Sequence, residues 1–301
     1  MKAAVLIGFG GVDQLEVRDM PEPPVHAGEI KVRVAATSIN PIDWKLREGA
    51  KRPGMELQLP AILGRDAAGE VVEVGAGVTR FRAGARVTGL VMGGYGEFVV
   101  AKDEAWAAVP DELSLADAAA IPLVALTGAE LVDEGARPRA GGTILVTGAL
   151  GNVGRAAVFT AKSRGVKVWA GVRSSQLAAA AQLGADGVVA LDGDLAAVQL
   201  PMFDAIADTV GAATTEKLLD HVVRGGAIAS VVSEPPGASE RGFEVRHIWA
   251  HPDPDQLASL VRAVAAGALV IPIAQRFPLA AIRDAHRAAQ AGAGGKVVVE
   301  M

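Results

Sequence analysis

The sequence predicts an α/β protein in two parts, a β-rich unit and a doubly wound parallel sheet, and three observations carry that prediction. From residue 2 to about 110 the chain runs in short apolar stretches separated by turn residues. From residue 143 onward, strand-like stretches alternate with alanine-rich helical ones, which is the rhythm of βαβ units. Half of the 301 residues are hydrophobic and 21% are charged, a balance that supplies two cores and argues against disorder.

The elements follow in order. Residues 1–7 are too short an apolar run for a signal peptide and read as a first strand. Strands are expected at 30–34, 69–74 and 98–100, with turns at Pro21-Glu22-Pro23-Pro24 and Gly75-Ala76-Gly77; together they suggest a compact barrel. The apolar stretch 113–132 is interrupted by Asp117, Pro122 and Glu130, so it reads as helical and does not read as a membrane span. Strands are then expected at 143–147, 166–172, 187–190, 203–207 and 227–232, joined by helices. The tail reads as a helix over 255–266, a strand over 271–277, a helix over 279–291 and a last strand over 296–300.

Between Thr147 and Gly154 the chain reads TGALGNVG, directly after an apolar strand and directly before a helix-compatible run. Glycines there let the backbone turn sharply and approach phosphates, whose charge suits the exposed N–H groups of a helix start. Gly148, Ala149, Leu150, Gly151, Asn152, Val153 and Gly154 are therefore candidates to hold a dinucleotide pyrophosphate. The strand after this turn ends at Arg173-Ser174-Ser175, and no Asp or Glu occurs from 149 to 185. An NAD site grips the ribose 2′-hydroxyl with an acid, whereas an arginine pairs with a 2′-phosphate. The pattern points to NADPH, read by Arg173, Ser174 and Ser175. A glycine turn in a cofactor-free α/β domain is the competing reading; strand, turn, helix and second strand in order weigh against it. Val210-Gly211 and Val232-Ser233 follow two later strands, at carboxyl ends where such sheets bind ligands.

A net charge of −5 argues against a nucleic-acid partner. The chain has no cysteine, which excludes disulfides, thiolate ligands and a thiol nucleophile, and fits a cytoplasmic protein. Neither a nucleophile elbow nor a carboxylate pair for glycoside chemistry is present.

Spread along the chain, SINPIDWKLREG (38–49), LGRDAAGEVVEVGAGV (63–78), GGYGEFVV (93–100), LTGAELV (126–132), the glycine turn and FPLAAIRDAHRAAQAG before GKVVV carry a further reading. In these segments the sequence resembles the zinc-independent branch of the medium-chain dehydrogenase/reductase superfamily, and within it the zeta-crystallin type of NADPH:quinone oxidoreductase. The resemblance implies a GroES-like catalytic domain (1–118 plus 251–301) with an inserted Rossmann domain (119–250). It also implies a homodimer formed along the edge strand at 244–249. The implied activity is metal-independent hydride transfer from NADPH to a quinone or to the C=C bond of an α,β-unsaturated carbonyl. An enoyl reductase acting on an acyl thioester, and a non-catalytic NADPH-binding sensor, are the alternatives.

Within that resemblance Asn40, Asp43 and Lys45 face the nicotinamide cleft, and Asn40 or Lys45 would hydrogen-bond a developing oxyanion. A structural turn, with Asp43 satisfying backbone N–H groups, is the other reading. Tyr95, the single tyrosine, either lines the pocket or packs in the core. Thr127 matches a threonine that reaches the nicotinamide in the family. Lys296 either reaches the cofactor or is a solvated lysine. Zinc-dependent relatives place a histidine where this chain has Arg65, and a guanidinium is not a zinc ligand. His247 and His251 have helical metal spacing, but on a strand they lie about 13 Å apart, and a helix capped by Asp253 is expected next. Departures from the family include lysines at 45 and 51 where tyrosines are common, Gly84-Ala85-Arg86-Val87 for Gly-Asp-Arg-Val, and Leu191-Asp192 where an aromatic often lies near the adenosine.

Overall fold

A computed structural model describes residues 1–51 and 54–301. The chain divides into two compact units, 1–123 with 252–301, and 124–251.

In the first unit, the long strand Glu29–Ile39 organises a seven-stranded sheet. One of its edges pairs with Asp66–Val74. The other takes Phe98–Lys102 along its first half and the C-terminal strand Lys296–Glu300 along its second. Eleven residues make this sharing possible, and it ties the last residues of the chain to the first third. Ile30, Val32 and Val34 alternate into one core, while Ile39 joins another with Leu6, Leu15, Leu46 and Val297. A three-stranded sheet built on Lys2–Leu6 completes the β part. The expected cap is present: Asp253 accepts from the N–H groups of Asp255 and Gln256 and starts the helix Pro254–Ala265.

The second unit is a six-stranded sheet with every pair parallel. Counting Thr143–Thr147 as its first strand, the spatial order is 3-2-1-4-5-6, the Rossmann arrangement. Ile144 and Val146 enter the core on one face and Leu145 the core on the other, so the strand is buried on both sides. The strand expected at 227–232 begins earlier, at Val222–Ser230, and the helix expected over 279–291 opens with a 3-10 turn at Leu279–Ala281. Gly184, with φ 68°, ends the run 177–183 in a left-handed cap.

Candidate functional site

Ligands of such sheets bind where the strand order reverses, at the carboxyl ends of the first and fourth strands. Here those ends are Thr147 and Asp208. Gly148 follows with φ 63°, a conformation that disfavours side chains, and a Cβ there would meet the Thr209 hydroxyl at 2.4 Å. A Cβ on Gly154 would come within 2.2 Å of the Gly148 carbonyl, so glycine lets the helix Asn152–Ser163 press against the turn. No side chain caps the start of that helix. Asn152 Oδ1 is buried there without a hydrogen-bond partner. An uncapped helix start behind a glycine turn fits a pyrophosphate.

A cavity of about 420 Å³ opens over this turn. Gly148, Leu150, Gly151, Arg173 and Val210 line it, as do Asp192, Gln176 and Thr214. Arg173, Ser174 and Ser175 are all exposed. Ala149 is buried beneath the turn, its N–H bonded to the Gly171 carbonyl. Val153 lies within the first turn of the helix. Thr127 is nearly buried in the helix Pro122–Glu130, next to Gly128, where a Cβ would lie 2.4 Å from the Val153 carbonyl.

Asp208, which sequence reasoning missed, holds the loops around the cavity. Its Oδ1 accepts from the Thr147 hydroxyl and from the N–H groups of Val210 and Gly211. Its Oδ2 accepts from the Ser230 hydroxyl, whose oxygen in turn accepts from the N–H groups of Val232 and Ser233. One buried carboxylate thus fixes both loops that the sequence assigns to the cofactor, leaving Val210 and Val232 exposed. The sequence signal was an acid ending the strand Phe203–Asp208 directly after the apolar run Ala205-Ile206-Ala207.

The first unit holds a second polar centre, and it corrects several expectations. Asn40 caps the helix Pro41–Arg47 and is fully buried. Its amide donates to Asp66 Oδ2 at 2.7 Å, and its Oδ1 accepts from Lys296 Nζ at 2.6 Å. Both ends of the side chain are used inside the protein, so Asn40 does not present a donor to an acceptor molecule. Lys45, five residues along the helix, is exposed, and the structure does not bring it to Asn40. Asp43 accepts from the Asn40 N–H, completing a capping box, which is the structural-turn reading. Tyr95 packs edge-on against His286 in the core, with centroids 5.6 Å apart, and is fully buried. Lys296 is neither solvated nor in the unit that carries the glycine turn; it is buried against Asp66, Asn40 and the Ile39 carbonyl.

Asp66 is the hub of this centre. It accepts from the Ser38 hydroxyl, the Asn40 amide, Lys296 and the Leu123 N–H. Burial raises the Asp43 carboxyl to about 7, and the negative charge of Asp66 adds to the rise, against the Asn40 N–H and Lys296. Burial likewise lowers Lys296 and raises the Tyr95 phenol well above its ordinary value. The outer oxygen of Asp43 and the Tyr95 hydroxyl interact electrostatically without a well-formed hydrogen bond. Arg65, nearly buried, donates to the Met92 sulfur. Elsewhere in this unit Phe9, Met55 and Leu57 line a hollow of about 540 Å³ with Lys51 and Glu56. Among the described residues no cluster of three metal-ligating side chains occurs, and no helix is long and apolar enough to cross a membrane.

Residues 26–111 match the family "Alcohol dehydrogenase GroES-like domain" and residues 183–299 the family "Zinc-binding dehydrogenase". The chain is 38% identical over 189 residues to the chloroplast envelope quinone oxidoreductase homolog of Arabidopsis thaliana, a match covering 60% of this chain and 57% of that protein. It thus spans little more than half the length of that curated relative. The quinone oxidoreductase of Coxiella burnetii has the same fold with a TM-score of 0.90 and 28% identity, covering 100% of this chain and 99% of that one. A protein described as an NAD-dependent alcohol dehydrogenase superposes with a TM-score of 0.87 and 28% identity over 100% of both chains.

Proposed function

The chain belongs to the medium-chain dehydrogenase/reductase superfamily, and on that premise we propose that it is an NADPH-dependent oxidoreductase acting without a metal on a quinone or an α,β-unsaturated carbonyl. One observation carries the reading. The cavity at the strand ends is lined by the glycine turn and by Arg173, beside a helix start that no side chain caps.

When bound, the reduced nicotinamide supplies hydride to the acceptor. The protein supplies position. The helix start at Asn152 and the backbone of 148–151 would hold the pyrophosphate, and Arg173 would meet the 2′-phosphate. Asp208 braces the loops at 209–211 and 232–233 before any ligand arrives, which lowers the cost of ordering them on binding. Asn40 and Asp43 act as positioning residues that hold the segment 38–43. The apolar hollow beside Lys51 supports an apolar acceptor. The absence of thiolate ligands and the guanidinium of Arg65 support chemistry without zinc. The strand Glu244–His247 ends the six-stranded sheet, which supports a homodimer paired along that edge.

Two measurements test the reading. NADPH consumption is followed across a panel of quinones and enones, and Kd is measured for NADPH and NADH. Arg173→Ala should weaken NADPH about 10- to 150-fold, the worth of charge-assisted hydrogen bonds, and leave NADH nearly unchanged. Tight NADPH binding without oxidation by any acceptor would make this a sensor. Equal loss of both cofactors would remove Arg173 from recognition of the phosphate.

A further inference from the structure

No acid occurs between 149 and 185 along the chain, but the sheet brings a later acid to the same place. The strand Gly187–Ala190 lies beside Lys167–Val172 in parallel, with Val172 paired to Ala190. Their carboxyl ends therefore emerge together, and two residues after the first of them stands Asp192. Its Oδ1 accepts from the Ser174 N–H at 2.7 Å and its Oδ2 from the Ser174 hydroxyl at 3.2 Å. Asp192 and Arg173 line the same cavity. The two Ser174 donors and the Arg173 guanidinium are the groups that a 2′-phosphate would use at this rim.

We propose that Asp192 sets how far this pocket favours a 2′-phosphorylated dinucleotide, by holding the Ser174 donors and placing a like charge where the phosphate would sit. The inference rests on the reading that Arg173 meets that phosphate. The Ser174 N–H, together with the Ser174 hydroxyl and the positive charge of Arg173, holds the Asp192 carboxyl below the usual carboxylate range, so it is charged at neutral pH. Its charge also offsets part of the attraction that Arg173 exerts on an incoming anion. A 2′-phosphate must displace this carboxylate from Ser174 or bind beside it. An unphosphorylated ribose meets no such conflict, because a hydroxyl can donate to the carboxylate.

Asp192→Asn separates charge from scaffold. An asparagine can still accept from the Ser174 N–H, and its amide can donate to the Ser174 hydroxyl, so the turn keeps its brace. Asp192→Ala removes the brace as well and frees both donors. Kd for NADPH and for NADH is measured by titration of the full chain, at low and moderate salt, in wild type, Asp192→Asn, Asp192→Ala and Arg173→Ala. In Asp192→Asn, NADPH should bind about tenfold more tightly at low salt, less so at higher salt, while NADH stays within about twofold. Asp192→Ala should match or exceed that gain.

The other outcomes are distinct. Unchanged NADPH binding in Asp192→Asn, with the expected loss in Arg173→Ala, overturns the role of Asp192 and leaves the Arg173 reading standing. Weakening of both cofactors alike overturns it too, and makes Asp192 a brace of the turn. A loss confined to NADH overturns the competition and assigns the carboxylate to the ribose hydroxyls. If Arg173→Ala changes neither cofactor, the Arg173 reading fails and this inference fails with it.

Discussion

Asp66 and Asp208 do the same work in the two units by different means. Each is a fully buried carboxylate at an end of a strand, and each gathers donors from segments far apart in sequence. Asp66 includes a cation among its donors, the buried ammonium of Lys296, and the whole centre is closed to solvent. Asp208 accepts only from hydroxyls and backbone N–H groups, and the loops it holds face an open cavity. A buried ion pair couples two costly charges, so loss of one strands the other. A carboxylate cradled by neutral donors strands nothing charged when it is removed. The first arrangement suits a centre that must not move. The second suits a rim that receives a ligand.

Breaking Asp66 should have the largest effect. Asp66→Asn leaves Lys296 buried without its ion-pair partner and should destabilise the protein by about 3–5 kcal/mol. Urea denaturation measures it, and Asp66→Asn combined with Lys296→Met should recover part of the loss. An additive double mutant would mean that the two charges are not coupled.

Asp208→Asn tests the other side of the comparison. It removes some acceptors for four donors and should cost about 1–3 kcal/mol, less than Asp66→Asn. Because it loosens both rim loops, it should weaken NADPH and NADH alike, unlike Arg173→Ala. Selective loss of NADPH would place Asp208 in phosphate recognition instead of loop positioning.

A third test is a pH dependence within the closed centre. Asp43 titrates at about 7 in the folded protein and near 3.8 when exposed, so the folded state holds a proton that the unfolded state has released. Its contribution to stability therefore falls as pH rises from about 4 to 7 and is flat above. His286 acts in the opposite sense. Arg47 can only donate, so His286 Nδ1 accepts from it, and burial beside that guanidinium lowers the ring to about 3 from 6.5. Unfolding then takes up a proton, and stability is lost as pH falls from 6.5 towards 3. Asp43→Asn keeps the cap on Asn40 and removes only the first dependence. Relative to wild type, the variant should gain stability steadily between pH 4 and 7, measured as urea midpoints. A difference that does not vary with pH would show that Asp43 stays charged in the fold.

How much of this was legible depends on distance along the chain. The parallel strands, the glycine turn, the cap at Asp253 and the last strand Lys296–Glu300 were all readable, because each is written in local periodicity or in a few adjacent residues. The placement of Asn40 after a strand was readable too. Its burial was not.

What the sequence alone determined is the order and type of elements and the position of the glycine turn, since backbone preferences and apolar spacing act over a few residues. The tertiary structure decided which polar groups meet. Asp66 finds Lys296 across 230 residues because the C-terminal strand pairs with Glu29–Ile39. Asp192 finds Ser174 because neighbouring parallel strands end together, 18 residues apart in the chain. A side chain's role in these centres is set by burial and by the charge of its partner, and both are properties of packing. That is why Lys296, read as a cofactor contact or a solvated lysine, became a buried partner of Asp66, and why an acid-free stretch of sequence still received an acid.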